Sequence, residues 1–503
     1  MEEKQVKLGA ILSYINNFIS IGISILYTPI MLQLLGQSDY GVYNIASSVI
    51  SYLGLLSFGL GGAYSRFYFK KRKDGNNKIA ELNGLYFLIF LIISIVVFAS
   101  GVYISKNVNI IFGSKLIDDE AIKLSNSILI LTVCLACTFS TTVFDSYIMV
   151  NRKFVWQQVL KMISVVLNPM ITLPLLLMGF RIYSILFGTV VITVITTLTN
   201  IVLSFRLLGF KLSFKNFDFK LLYEMFIFTF FLFLNSIIDQ VNWNVDKFLL
   251  TRIKGVAAVA IYSISSQINT YYLSFSTAIS NMYIPEINQQ IIENNNLDNV
   301  NKIFFKVGRL QMMVLGLIIS GFIFFGKPFI TLWVGQSYIP AYYAALWLMV
   351  PVTLPLIQNI GIEILKAMNK HKFRSILYTI MAIINILISI PLCYKYGVVG
   401  CAIGTGLVLL VANGLLMNIY YYKVGLDIIK FWYNIIKMLR FMIIPLLVGG
   451  LITLISCDSF TLLIFLILIY TFIYLLSLFI YELDDDERKF IIHKVNILKL
   501  FRH

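Results

Sequence analysis

A chain of 503 residues that is 59% hydrophobic and only 13% charged lacks the composition of a soluble domain, in which about a quarter of the residues carry charge. Lipid is therefore the expected solvent for most of it. The net charge of +16 is spread over short loops, which argues against nucleic-acid binding and for contact with anionic lipid.

Apolar runs near the twenty or so residues needed to cross a bilayer recur along the chain with short connections. They cover 8–35, 40–65, 79–105, 124–150, 154–178, 182–205, 221–250, 256–284, 304–334, 341–368, 374–394, 398–422, 438–455 and 460–481. The pattern predicts an all-α polytopic membrane protein of about 14 transmembrane helices. The first run is too long for a signal-peptide core and has no small-residue cleavage site, so it is expected to remain as a span. Most of the 40 basic residues fall in alternate loops, among them Arg66 to Lys73, Arg152 and Lys153, Lys370 to Arg374 and the tail from Arg488. An excess of Lys and Arg inside predicts cytoplasmic N- and C-termini. The 482–503 segment, acidic and then basic and apolar, is expected to be a helix on the inner leaflet.

Polar residues inside spans are costly and are candidates for function. In the first span Ser13, Asn17, Ser20, Ser24 and Thr28 form a stripe; in the seventh, Asn235, Asp239, Asn242 and Asp246 are spaced four, three and four apart, on one helical face. A polar stripe in lipid implies a polar cavity, and Asn17, Asn235, Asp239, Asn242, Asp246 and Lys247 are the candidate substrate-binding residues. The alternative is interhelical hydrogen bonding, or for Lys247 a side chain reaching to headgroups. The eighth span carries Tyr262, Ser266, Asn269, Ser276 and Ser280, from which Asn269 joins the candidates. Arg66, at the inner end of the second span, can meet a phosphate or serve as a positive-inside anchor. Asp145 lies six residues before Asn151 and Glu363 six before Asn369, so each half places one carboxylate on its fourth helix. These two are candidates for a gate or coupling site, with ion pairs to Lys161 or Lys366 as the alternative. Cys134 and Cys137 share a helical turn within a span, and His371, His493 and His503 lie outside the spans, so neither a metal site nor a disulfide is expected.

The chain is written twice. Asn168 pairs with Asn385, Pro174 with Pro391, Gly188-Thr189 with Gly404-Thr405 and Gly209 with Gly425, all about 216 to 218 positions apart. The expected organisation is an N-lobe over 1–210, a C-lobe over 211–425, two further helices within 426–481 and a cytoplasmic tail over 482–503. No outward loop is longer than the 106–123 segment, which leaves little room for a catalytic domain on that side.

The duplicated halves, the run Gly326-Lys-Pro-Phe-Ile-Thr-Leu-Trp-Val-Gly335 with Tyr338 and Ala341, Asp246-Lys247 followed by Gly255 and Tyr262, and Ala367-Met-Asn-Lys-His-Lys-Phe-Arg374 resemble the polysaccharide transporter family. These are the lipid-linked oligosaccharide flippases of the multidrug/oligosaccharidyl-lipid/polysaccharide (MOP) exporter superfamily. The resemblance implies two pseudo-symmetric six-helix lobes plus two C-terminal helices, a MATE-like arrangement in the cytoplasmic membrane. It implies alternating-access movement of a polyprenyl-pyrophosphate-linked oligosaccharide for surface polysaccharide synthesis, without catalysis or a cofactor. Coupling to H+, Na+ or the membrane potential stays open. The expected partners are the lipid-linked substrate, membrane lipids, and the polymerase and glycosyltransferases of the same pathway, with no nucleic acid. Some relatives line the cavity with arginines; here the first and eighth spans have no Lys or Arg at mid-membrane. A cation-coupled drug or metabolite antiporter of the same fold is the second reading, with Asp239 as its coupling residue, and a membrane-embedded polymerase is the third.

Overall fold

The computed structural model describes residues 2–113, 115–215, 219–293, 296–370 and 372–482. The side chains of 2–11, 219–220, 228, 231–232, 234–235, 238–239, 241–243 and 292–293 are not described. The expectations for Asn235, Asp239 and Asn242, and for the tail beyond Glu482, thus lie outside the described residues.

Every described element is helical. In chain order they are α1 Glu2–Gly54, α2 Leu60–Arg72, α3 Asn76–Lys106, α4 Val108–Phe112, α5 Asp118–Ser140, α6 Thr142–Val150, α7 Phe154–Leu177, α8 Ile182–Val202 and α9 Phe219–Lys254. They continue as α10 Val256–Asn288, α11 Leu297–Val334, α12 Ile339–Ile357, α13 Ile360–Ala367, α14 Lys372–Leu409, α15 Met417–Val424, α16 Ile428–Met438, α17 Ile443–Ile452 and α18 Phe460–Tyr481. Among the described residues ten helices are long and apolar enough to cross a membrane. Two of these, Leu12–Arg72 and Lys372–Val424, are too long for a single crossing. A straight helix of 53 residues would be about 80 Å long, far beyond an apolar core of about 30 Å, and α1 turns at Gly36 (φ 79°, ψ 167°). Likewise α14 turns at Gly397 (φ 59°, ψ −128°).

The surface is what lipid demands of a protein. Leu26 on α1, Ile95 on α3 and Leu468 on α18 are exposed, while Asn83, Gln311 and Asn413 are buried. These three buried amides are bonded: Asn83 to Tyr64, Gln311 to Ser276 and Ser280, Asn413 to Tyr378. The chain is a multi-pass membrane protein.

Backbone geometry repeats with the sequence. Positive φ occurs at Gly36 and Gly255, Gly113 and Gly335, Arg152 and Asn369, Arg181 and Gly397, and Gly209 and Gly425, each pair close to the repeat offset. The fourth span is interrupted in both halves, between α5 and α6 and between α12 and α13. At the first interruption Ser140 and Thr141 donate to the Cys137 carbonyl and Thr142 to that of Thr138, hydroxyl back-bonding that bends helices. The hairpins match as well: Gly188 lies against Thr172 and Gly404 against Ser389, each too close for a Cβ to fit without movement.

The chain resolves into two compact units, Met1–Ser263 with Ile390–Cys401, and Ile264–Ser389 with Ala402–His503.

Candidate substrate-binding face

In the first unit α1 packs on α7, α5 and α9. Its first arm has two distinct faces. Ile15, Phe18, Leu26 and Ile30 form an exposed apolar side. Ser13, Asn17, Ser20, Ser24 and Thr28 share the other side, as the 3.6-residue period requires. On this polar side Thr28 is buried, the three serines are half-buried and Asn17 is exposed. The neighbouring Asn16 is the one that is locked, only 2% exposed, with its Nδ2 donating to the Gln158 backbone carbonyl at 2.8 Å and to Gln158 Oε1 at 2.9 Å. Higher up the same arm, Tyr27 Oη and Thr172 Oγ1 are 2.7 Å apart. The helix is thus fastened to α7 by Asn16 and Tyr27, and Asn17 remains the accessible amide.

The seventh span is α9. It touches the second arm of α1 and α2: Tyr52 Oη donates to the Gln240 carbonyl at 3.4 Å, and Lys70 pairs with Glu224 at 2.6 Å. Asp246 is fully buried and accepts a hydrogen bond from Tyr262 on α10. Lys247 is half-buried and has no ion-pair partner among the described residues. Arg66 on α2 is exposed and engaged in interactions of its own.

The two repeated carboxylates are held by local partners. Asp145, on α6, accepts from Gln157 Nε2 at 3.0 Å, rather than pairing with Lys161. Glu363, on α13 in the second unit, pairs with Lys366 at 2.8 Å. Asn269, also in the second unit, is 2% exposed, and its Oδ1 has no hydrogen-bond partner among the described residues. Two residues of its stripe are interhelical ties: Ser276 Oγ donates to the Leu356 carbonyl at 3.0 Å, and Ser280 accepts from Gln311 Nε2 at 2.7 Å.

Sequence reasoning missed one buried charge. Asp39, just past the Gly36 turn, is 2% exposed, 3.0 Å from Lys123 Nζ and 3.5 Å from Arg181 Nε. Lys123 also meets Asp119 at 2.7 Å. The signal available was an acid beside a turn glycine and an Arg in the α7–α8 connection of the same half, a pattern too sparse to read without coordinates.

No curated protein matches the chain. Among solved structures it is similar to the lipid II flippase MurJ in an inward closed conformation, at 16% identity and a TM-score of 0.73 over 93% of this chain and 97% of that one. It is similar to an inward-facing multidrug resistance MATE family transporter of the MOP superfamily at 14% identity, TM-score 0.62, over 81% and 99% of the two chains. It also resembles the MATE multidrug transporter DinF-BH at 15% identity, TM-score 0.60, over 84% and 95%. These likenesses give the fold, a helical arrangement of the kind that the family resemblance implies. The polysaccharide biosynthesis protein family matches residues 6–291, more than half of the chain. By that match the chain belongs to the polysaccharide biosynthesis protein family.

Proposed function

We propose that the chain is a flippase that carries a polyprenyl-pyrophosphate-linked oligosaccharide repeat unit across the cytoplasmic membrane by alternating access. The observation that carries this is the two-faced first arm of α1: an apolar exposed side, and a polar side that leaves Asn17 accessible while Asn16 is bonded. Membership of a polysaccharide biosynthesis family and the fold shared with a lipid II flippase support the same direction. A hydrated sugar-pyrophosphate cannot enter hydrocarbon unaided, because each hydroxyl loses its partners and each charge its hydration. A polar face at membrane depth replaces those partners while the lipid tail stays in the bilayer.

In this reading Asn17, Asn235, Asp239 and Asn242 meet the glycan, and Arg66 and Lys247 act near its phosphates. Asp145 and Glu363 gate or couple, driven by H+, Na+ or membrane potential. Both termini are cytoplasmic, and the pathway's polymerase receives the product. The fold shared with MATE transporters favours a cation-coupled antiporter as the second reading. The test is to delete the gene and locate the lipid-linked repeat unit. Accumulation on the inner face supports a flippase; unchanged surface glycan with new sensitivity to cationic dyes supports the antiporter. In the complemented strain Asp239→Asn and Asn235→Leu should each lower export by at least about ten-fold, the factor that 1.4 kcal/mol of binding represents, with protein levels in the membrane unchanged.

A further inference from the structure

The second unit holds a cleft of about 480 Å³ between the first half of α11, the short helix α16 and the end of α18. Its polar lining includes Lys306, Arg309, Lys437 and Arg440, with Glu482 as the acidic side chain. Two of the cations are occupied. Arg309 Nε lies 3.3 Å from Glu482 Oε1 and its Nη2 donates to the Glu482 carbonyl, while Arg440 Nη2 donates to the Tyr481 carbonyl at 3.2 Å. Both arginines thus cover carbonyls at the C-terminal end of α18, where a helix favours positive charge. That use does not extend to the other two. Lys306 lies over the Tyr283 ring at 5.7 Å, and neither it nor Lys437 meets a carboxylate among the described residues.

The walls next to these lysines are apolar. Leu310, Met313 and Met438 line the cleft. Outside it, α16 turns Ile429, Tyr433 and Ile436 outward, each more than 60% exposed, so the helix presents apolar residues beside Lys437 to the surroundings. Such a face, at the start of the candidate span Ile428–Ile452, suits the boundary between headgroups and acyl chains. Basic pockets between membrane helices are suited to anionic headgroups.

We propose that this cleft binds the phosphate of an anionic headgroup, with Lys306 and Lys437 as its ligands and the bilayer as its source. The site is independent of what the protein carries. The full-length protein in neutral detergent is titrated with phosphatidylglycerol or phosphatidylcholine, and binding is read by native mass spectrometry and thermal stabilisation. Preferential binding of phosphatidylglycerol is expected. Lys306→Gln and Lys437→Gln should each lower its affinity about five-fold and together about thirty-fold, the effect of about 1 kcal/mol per surface charge. Lys437→Arg should retain it, which separates lost charge from misfolding. If inorganic phosphate alone stabilises the protein equally, and the same variants abolish this, the phosphate chemistry stands and its source is soluble. Equal binding of both lipids, or undiminished binding by the double variant, overturns the proposal. So does binding that emerges only in Asp484→Asn/Asp485→Asn/Asp486→Asn, because the chain's own acidic stretch would then be the occupant.

Discussion

In the first repeat the second span leaves the helical path between Gly54 and Leu60, with Phe58 at φ 50° and Gly59 at φ 68°. At the corresponding place in the second repeat α10 runs unbroken from Val256 to Asn288. One duplicated template has taken two courses, and the residues show why. The first copy has Gly54, Gly59, Gly61 and Gly62, where the second has Tyr272, Ser276, Thr277 and Ser280 nearby. In α10 these hydroxyls are bonded: Tyr272 to Thr353 at 2.8 Å, Ser276 to the Leu356 carbonyl, Thr277 back to Leu273 at 3.2 Å. In the first copy Phe58 instead packs on α9, its ring tilted against Phe233 at 4.5 Å between centroids and edge-on to Phe226 at 6.2 Å. Broken helices survive at membrane depth where protein covers the freed backbone. The first repeat therefore carries an interrupted second span, and the second repeat a continuous, hydrogen-bonded one.

The largest expected effect tests how each repeat closes on its third span. A Cβ at Gly84 on α3 would lie 2.1 Å from the Ser213 carbonyl oxygen, in the segment that follows the first repeat. A Cβ at Gly308 on α11 would lie 2.2 Å from the Phe431 ring, in the helix that follows the second. Phe431 is stacked on Phe304 at 4.3 Å, but a ring can tilt more easily than the backbone carbonyl of Ser213, a residue whose N–H donates to the Ala80 carbonyl. Gly84→Ala should cost about 3 kcal/mol or more, and Gly308→Ala about 1–2 kcal/mol. Thermal unfolding in detergent measures both, and a larger loss at Gly308 would break the comparison.

Next in size is the break itself. Gly59→Ala puts a Cβ on a left-handed residue and should cost about 1–2 kcal/mol. Gly62→Ala, at a helical position with open space, should stabilise by about 0.5–1 kcal/mol. If both variants behave alike in unfolding, the break is not specified by Gly59. The same pair sharpens the functional reading, because a stiffened second span in the first repeat should slow export more than the equivalent change Ser276→Ala in the continuous span.

The all-helical, multi-pass character and the paired turn residues were legible in the sequence because they rest on hydrophobic run length and on turn chemistry, both local signals. Thus Gly36, Gly209, Gly397 and Gly425 stand where the backbone turns. The single span expected over 124–150 is interrupted at Thr141, where hydroxyl back-bonding outweighs hydropathy. At the candidate site the stripe on α1 was legible, but not that Asn16 rather than Asn17 is tied down. That depends on Gln158, a partner 142 positions away. Likewise Ser276 and Ser280 are ties because the Leu356 carbonyl and Gln311 stand opposite them. Periodicity gives the face of a helix; which residue on it is free is set by the neighbouring helix.

The smallest effect concerns Arg181 and Gly397, which occupy the same turn in the two repeats with nearly the same geometry, φ 51° and ψ −130° against φ 59° and ψ −128°. For glycine that conformation is unstrained; for arginine it costs about 1 kcal/mol or more. The first repeat bears this cost where Arg181 reaches Asp39, whose other partner is Lys123. Removing the side chain relieves the backbone and leaves the buried carboxylate with Lys123, so Arg181→Gly should change stability by less than about 1 kcal/mol. Adding one at the partner site, Gly397→Ala, meets no atom closer than 3.7 Å and should cost about 1 kcal/mol from backbone strain alone. Measured in an Asp39→Asn background, Arg181→Gly should become stabilising, because the strain then has no ion pair to offset it.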